Sequence, residues 1–302
     1  MSGAQVELRH GRYTAHIASV GASLRALRHD GRDLVVPFDA DEVRPAYRGA
    51  ALAPWPNRVV DGRYTFDGVA HRLPLTEPAR CHALHGLAIW LDFAIAEQSA
   101  TEVVLTATIE PQTGYPWRVP VTVHHTLTDD GLHTRISARN DSTTRAPVGL
   151  SGHPYLVAGR GRVDDWTLEL PAERFLVVDE DRLIPQYVES VATDGTFDFR
   201  SARRIGATFI DHAFTALDRD RRGLATVRLT TAEGTGVGLA WDEASPWVQI
   251  HTADRPDAPD ISRIGLAVEP MTCAPDAFNS EAGLIVLAPG ESAAAGWTIF
   301  AI

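Results

Sequence analysis

A large antiparallel β-sandwich is the fold class that this sequence predicts, and three observations carry it. Short segments in which polar and apolar residues take turns recur from one end to the other. Asp-Gly dipeptides, which tolerate positive φ, lie beside several of them. Convincing amphipathic helices of about 12 or more residues are missing, and Gly 24 with Pro 19 is a loop-rich composition.

Leu132 to Arg139 and Ala225 to Leu229 alternate most clearly and read as strands buried on one face. The same pattern marks Tyr13–Val20, Val103–Ile109, Val121–Leu127, Trp166–Leu170 and Phe175–Val178, then Val237–Trp241, Trp247–His251, Leu284–Leu287 and Trp297–Ala301. Asp61-Gly62, Asp67-Gly68 and Asp130-Gly131 sit where hairpin turns would join such strands, and Asp194-Gly195 adds a further turn signal, so the pairing is expected to be antiparallel. The 302 residues exceed the roughly 100–200 typical of one domain, yet large all-β folds often pass 200 as a unit. With no linker, low-complexity tract or fixed-period repeat, residues 1–302 are expected to form a single domain.

A formal charge of -11 argues against electrostatic capture of nucleic acid or an anionic membrane and favours a small neutral ligand as partner. It leaves the oligomeric state open. All 28 cationic residues are arginine. Without lysine, Schiff-base chemistry, pyridoxal phosphate attachment and the P-loop are excluded whatever the fold. Two cysteines, Cys81 and Cys273, are too few for a disulfide framework. The N-terminal MSGAQVELRH carries no basic segment followed by an apolar stretch, and no run of about 18 apolar residues occurs, so a cytoplasmic location is expected.

Two ionisable residues stand out by position. Glu269 follows the apolar run Ile264-Gly265-Leu266-Ala267-Val268 and precedes Pro270; His153 follows Val148-Gly149-Leu150-Ser151-Gly152 and precedes Pro154. Proline biases its predecessor to extended backbone, so each reads as a strand-end residue aimed in a defined direction. From spacing alone a turn-capping histidine and a solvated strand-end glutamate are the commoner explanation, so the pattern by itself assigns neither a role. Weaker signals are set aside: the His82/His85 spacing, the His124-His125 doublet, whose members point to opposite faces of a strand, and the glycines after Gly234, which lack a dinucleotide-loop pattern.

Several longer stretches, in order, resemble the aldose 1-epimerase (galactose mutarotase-like) family. They are Tyr47-Arg48-Gly49-Ala50-Ala51-Leu52-Ala53-Pro54-Trp55-Pro56-Asn57-Arg58-Val59 with Asp61 to Gly68, His82-Ala83-Leu84-His85-Gly86-Leu87, Gly149 to Leu156 with its His-Pro-Tyr word, Phe209-Ile210-Asp211-His212-Ala213-Phe214, and Ala267-Val268-Glu269-Pro270-Met271. The resemblance implies a β-supersandwich and an isomerase that interconverts the α and β anomers of a free aldose with no cofactor and no metal. It implies Glu269 as general base, His153 as general acid, His85 as a second histidine near the ring oxygen, and Arg58 and Asp211 as ligands of substrate hydroxyls. Ring opening needs this division: a base takes the anomeric proton, an acid protonates the ring oxygen, and rotation with reclosure gives the other anomer. A carboxylate beside His153 is expected to favour its charged form.

Sugar sites also present a flat apolar face, for which Trp247 is the candidate, with core packing as its alternative; neither Trp55 nor Trp117 is ranked as catalytic, and Trp117 reads as structural. A zinc site from His82, His85, His153 and Glu269 is a minor alternative. So is a hexose-6-phosphate 1-epimerase, whose phosphate would fall to Arg203-Arg204 or to Arg219, Arg221 and Arg222. A non-catalytic carbohydrate-binding protein on the same fold is the reading from a different class.

Overall fold

The computed structural model describes residues 1–302. Alternation decides the long strands. In Val119–Thr128 every second residue is buried, so Val121, Val123, His125 and Leu127 face inward while Thr122, His124 and Thr126 face out. The doublet splits as the pleat requires, and buried His125 spends both ring nitrogens on Thr134 Oγ1 and the Ala22 carbonyl.

Every strand pairing in the three large sheets is antiparallel. A nine-stranded sheet runs in the spatial order Ala94–Gln98, Glu102–Ile109, Val119–Thr128, Gly131–Arg139, Ser292–Ala301, Gly236–Trp241, Ala225–Thr230, Thr167–Glu169, Arg203–Arg204. A six-stranded sheet follows the order Tyr155–Leu156, Leu266–Met271, Trp247–His251, Asp211–Leu217, Ala172–Val178, Pro185–Ser190. The N-terminal residues form a four-stranded meander from Gln5–His10 to Arg32–Asp33. One hydrophobic cluster of 62 buried residues takes side chains from all three sheets, which joins them into layers around a common core. This all-β, antiparallel architecture is the expected fold class.

Where the expectations depart, the reasons are local. Asp67-Gly68 closes a hairpin between Arg63–Phe66 and Val69–Arg72, and Asp130 with Gly131 closes another. Asp61-Gly62 also turns the chain, but Arg58–Val60 pairs with His82–Leu84 instead of its neighbour, so this turn passes the chain between sheets. Asp211–Leu217 and Ser23–His29 were not anticipated as strands, because charged or polar residues interrupt their apolar pattern, and Pro185–Ser190 was not because none of its residues is buried. Glu269 is inside the strand Leu266–Met271, not at its end; Pro270 continues that strand opposite Val248.

Gly152, the residue before His153, pairs in a short two-stranded ladder with Ala51. A Cβ here would fall inside the Trp297 indole, which belongs to the nine-stranded sheet. The absent side chain lets that ring pack beneath the segment carrying His153. Gly152→Ala is expected to cost about 1–3 kcal/mol as an overpacked core, read as a lowered midpoint of thermal unfolding; an unchanged midpoint would show that the contact is soft.

Candidate active site

The pleat of the six-stranded sheet assembles the centre of the site. Glu269 lies opposite Gln249, and Asp211 opposite His251. Gln249 and His251 are two residues apart on one strand and point to the same face, so Glu269, Gln249, His251 and Asp211 emerge together. On the other face Val248, Ile250, Val268 and Phe214 enter the core. His153 and Tyr155 come from the segment beside Leu266–Met271, where Tyr155 pairs with Ala267, and their rings stack at 4.9 Å.

The opposite wall comes from loops held in unusual backbone conformations. Asn57 (φ 53), His85 (φ 63) and Tyr47 (φ 59) occupy the left-handed region, a local cost that collects at functional sites. The His85 N–H donates to the Asn57 carbonyl at 2.9 Å, and Arg58 pairs with Leu84, so Arg58 and His85 are delivered side by side. His85 meets Tyr47 at 4.8 Å and His153 at 5.0 Å, ring centre to ring centre. Together these residues line a cleft of about 400 Å³, the size of a small-ligand site.

Its polar atoms are arranged for a ligand rich in hydroxyls. His153 Nε2 and Glu269 Oε1 stand 3.3 Å apart, both side chains almost fully buried. Asp211 accepts from Gln249 Nε2 at 2.6 Å and lies 3.7 Å from Arg58 Nη2. His85 Nδ1, His153 Nδ1, Gln249 Oε1, His251 Nδ1 and Glu269 Oε2 are buried and have no hydrogen-bond partner within the protein. Unpaired buried polar atoms are costly, and here they converge on one cleft.

Burial dominates the titration of the central pair. It raises the Glu269 carboxyl well above the ordinary range, with Asp211 adding to the effect and Arg58 opposing it. It lowers His153 to about 3, with the nearby His251 acting in the same direction. Desolvation thus opposes the charge that a neighbouring carboxylate was expected to favour on His153, and it pushes the two groups toward a neutral imidazole and a neutral carboxyl, with one proton between them. His85 is also driven well down by burial and then by His153. Burial alone would raise Asp211, but His251, Arg58 and the Gln249 hydrogen bond together hold it below the usual carboxylate value.

Two arginine clamps shape the walls, and composition gave no sign of either. Glu77 receives Arg58 Nε at 2.7 Å and Nη2 at 3.0 Å, and Arg80 Nη1 at 3.0 Å. This bidentate grip orients the guanidinium toward Asp211. Buried Arg263 binds Asp164 at 2.9 Å, Asp254 at 2.8 Å and the Gly206 carbonyl at 2.6 Å, tying the segment before Phe209 and Asp211 to the one carrying Asp254 and Arg255.

The structure brings Glu269, His153, His85, Arg58 and Asp211 into the cleft and leaves Trp247 out of its lining. Trp247 shares the face of Gln249 but stands two residues further along, where it packs with Leu176, Ala213, Met271 and Ala274. Tyr47, Tyr155, Gln249, His251, Glu77 and the half-exposed Phe209 line the cleft without having been singled out in the sequence. The His-Pro-Tyr word contained Tyr155, and alternation within Trp247–His251 would have put Gln249 and His251 on one face. Arg203 and Arg204 bind loop groups elsewhere, and Arg219 caps the Trp241 and Ser245 carbonyls. The arginines that do line the cleft besides Arg58 are Arg80 and Arg255.

Donor atoms of His85, His153 and Glu269 lie within 4.8 Å of one another, a spacing that can hold a metal ion. His82 is not a fourth ligand: its Nε2 meets the Arg182 carbonyl and its Nδ1 accepts from the Asp61 N–H. The Arg58 charge acts on both Glu269 and His85, which disfavours a dication there.

Residues 4–299 match the family model described as aldose 1-epimerase. The uncharacterized protein YihR of Escherichia coli is 38% identical over 293 residues, covering 96% of this chain and 91% of that protein. Rat galactose mutarotase is 31% identical over 215 residues, 66% of this chain and 61% of the other. Among solved structures, a GalM/aldose epimerase homologue from C. elegans superposes with a TM-score of 0.87 at 22% identity, covering 99% of this chain and 98% of its own, a likeness of fold.

Truncating one partner of a buried ion pair strands the other, so Glu77→Ala is expected to destabilise by about 3 kcal/mol in urea denaturation. Arg12→Ala, which breaks the exposed pair with Asp30, should cost less than about 1 kcal/mol. Equal effects would remove Glu77 as the anchor of Arg58.

Proposed function

Because this chain belongs to the aldose 1-epimerase family, we propose that it interconverts the α and β anomers of a free, neutral aldose, with Glu269 and His153 moving the protons. The observation that carries the reading is the 3.3 Å approach of Glu269 Oε1 to His153 Nε2. The anomeric hydroxyl and the ring oxygen are bonded to the same carbon, so the base and acid of ring opening must converge on adjacent atoms. Glycoside hydrolysis instead needs two carboxyl groups about 5 Å or more apart.

In the step, Glu269 as carboxylate takes the proton of the anomeric hydroxyl while His153 as imidazolium gives one to the ring oxygen. The C1–O5 bond breaks, C1 becomes an aldehyde, and the pair is left as carboxyl and imidazole. Rotation about C1–C2 and the reverse transfers close the other anomer. The pair holds one proton before and after, so no net proton leaves the site, and a bound sugar supplies the partners that the orphaned atoms lack. Asp211 and Arg58 suit neighbouring hydroxyls, Asp211 as acceptor and Arg58 as donor. His85, kept neutral, suits a hydrogen bond near the ring oxygen, and Phe209 offers the apolar face first sought at Trp247.

We also propose that residues 1–302 act as one domain, which the shared core supports. No helix is long and apolar enough to cross a membrane. The free thiols Cys81 and Cys273 suit a cytoplasmic location. A 6-phosphorylated aldose is the second reading, favoured by Arg255 in the cleft lining; Asp254 and Asp257 beside it weigh toward a neutral sugar.

Glu269→Gln and His153→Asn should each lower kcat by about 10²–10⁴-fold in polarimetry with chelator present, whereas Asp211→Ala should act mainly on KM. Near-normal kcat in Glu269→Gln would reject the assignment, and activity lost to chelator but restored by zinc would replace it with metal chemistry. The neutral aldose should also show a higher kcat/KM than its 6-phosphate; the reverse order would make the phosphorylated sugar the substrate.

A further inference from the structure

Arg44 is buried, 3% exposed, and has no carboxylate partner. Its Nη1 donates to the Val20 carbonyl at 3.1 Å and to Ser23 Oγ at 2.7 Å, its Nη2 donates to the Ile89 carbonyl, and its Nε is left without a partner. The half-exposed Trp90 ring covers the guanidinium, with its centre 4.5 Å from Cζ. Burial lowers Arg44 to about 10, so it still carries its charge at neutral pH. A buried charge with no counter-ion is costly to keep, and Arg44 spends it on backbone from separate parts of the chain.

Those parts hold the two cleft histidines. Arg44 opens the Pro45–Tyr47 turn, in which Ala46 (φ 46) and Tyr47 (φ 59) are both left-handed. The turn sets the Tyr47 ring 4.8 Å from that of His85 and 6.2 Å from that of His153. The chain then grips the His153 backbone twice: the Gly49 N–H donates to its carbonyl at 2.8 Å, and its own N–H donates to the Ala50 carbonyl at 3.0 Å. Ile89 and Trp90 belong to the turn Ala88–Trp90 that follows His85. Val20 and Ser23 lie where the N-terminal meander passes from Tyr13–Ala18 to Ser23–His29. One guanidinium thus ties together the segment after His85, the segment gripping His153, and the meander.

We propose that Arg44 is a positioning residue for the proton transfers, which fixes Tyr47, His85 and His153 relative to one another without meeting the sugar. The inference rests on the epimerase reading of the cleft, whose lining does not include Arg44. The charge of Arg44 also reaches both histidines and acts in the same direction as their burial. Arg58 and Asp211, the groups suited to sugar hydroxyls, are held instead by Glu77 and Gln249. Loss of Arg44 should therefore disturb the chemical step and spare most of the binding.

The test measures kcat and KM of the intact protein and of Arg44→Ala on the neutral aldose that the wild type turns over best. Arg44→Ala, shown to be folded by circular dichroism, should lower kcat by about tenfold or more and move KM by less than about threefold. Guanidinium ion at millimolar concentration, entering the space the side chain vacates, should raise the kcat of Arg44→Ala by about threefold or more and leave that of Glu269→Gln unchanged. Arg44→Lys is the second variant should the first fail to fold: it keeps the charge but not the planar fork that spans the Val20 and Ile89 carbonyls, so its kcat should fall by about threefold or more. A folded variant with near-normal kcat, a KM that rises as far as kcat falls, or a loss in Arg44→Ala that guanidinium leaves untouched overturns the role of Arg44 while the epimerase reading stands. If the wild type turns over no aldose, both fall.

Discussion

The rest of the site depends on one contact, the buried approach of the Glu269 carboxyl to the His153 imidazole. A carboxylate or an imidazolium alone in such a place would be expensive to desolvate. Together they need hold only one proton, and the neutral arrangement and the ion pair differ by moving it about a hydrogen bond's length. A reversible ring opening requires that exchange, because the pair must give up the ionic form and regain it in each turnover.

Everything around the pair keeps it dry and aimed. Register in the six-stranded sheet sets Glu269 against Gln249, so the base stands on a rigid strand while the apolar residues of the opposite face anchor it in the core. His153 is placed from a separate segment, and its position rests on Gly152 giving way to Trp297 of the other large sheet. Arg58 would be a troublesome neighbour for His85 if it were free, but Glu77 holds it in a bidentate grip. Arg263 does the same for the backbone, fixing the segment that leads into Asp211 and the loop that carries Asp254.

Much of this was legible in the sequence, unevenly and for identifiable reasons. A strand whose alternation is uninterrupted, such as Ala225–Leu229, was readable because period two needs no tertiary information. Asp211–Leu217 escaped because its two leading residues, Asp211 and His212, break the apolar pattern. Glu269 and His153 were conspicuous by their flanking prolines, yet only the resemblance gave them roles, and the burial that works against a charged His153 is invisible in a chain. Trp247 was the right residue type on the right strand, displaced by two residues into an apolar cluster. Glu77 carried no signal, since its partner is 19 positions away and nothing in the spacing announces the pair.

The central claim, that one proton shared by a buried pair performs the anomerisation, is most directly tested by the dependence of kcat/KM on pH. Independent groups with ordinary values, glutamate ~4.3 and histidine ~6.5, would confine activity between those limits. Burial moves both limits outward: His153, lowered to about 3, takes a second proton only in strong acid, and Glu269, raised well above its ordinary value, gives up the remaining proton only at higher pH. The account predicts a profile that runs level through pH ~6.5 and does not fall at pH ~4.3. Limbs with midpoints near those two ordinary values would contradict it.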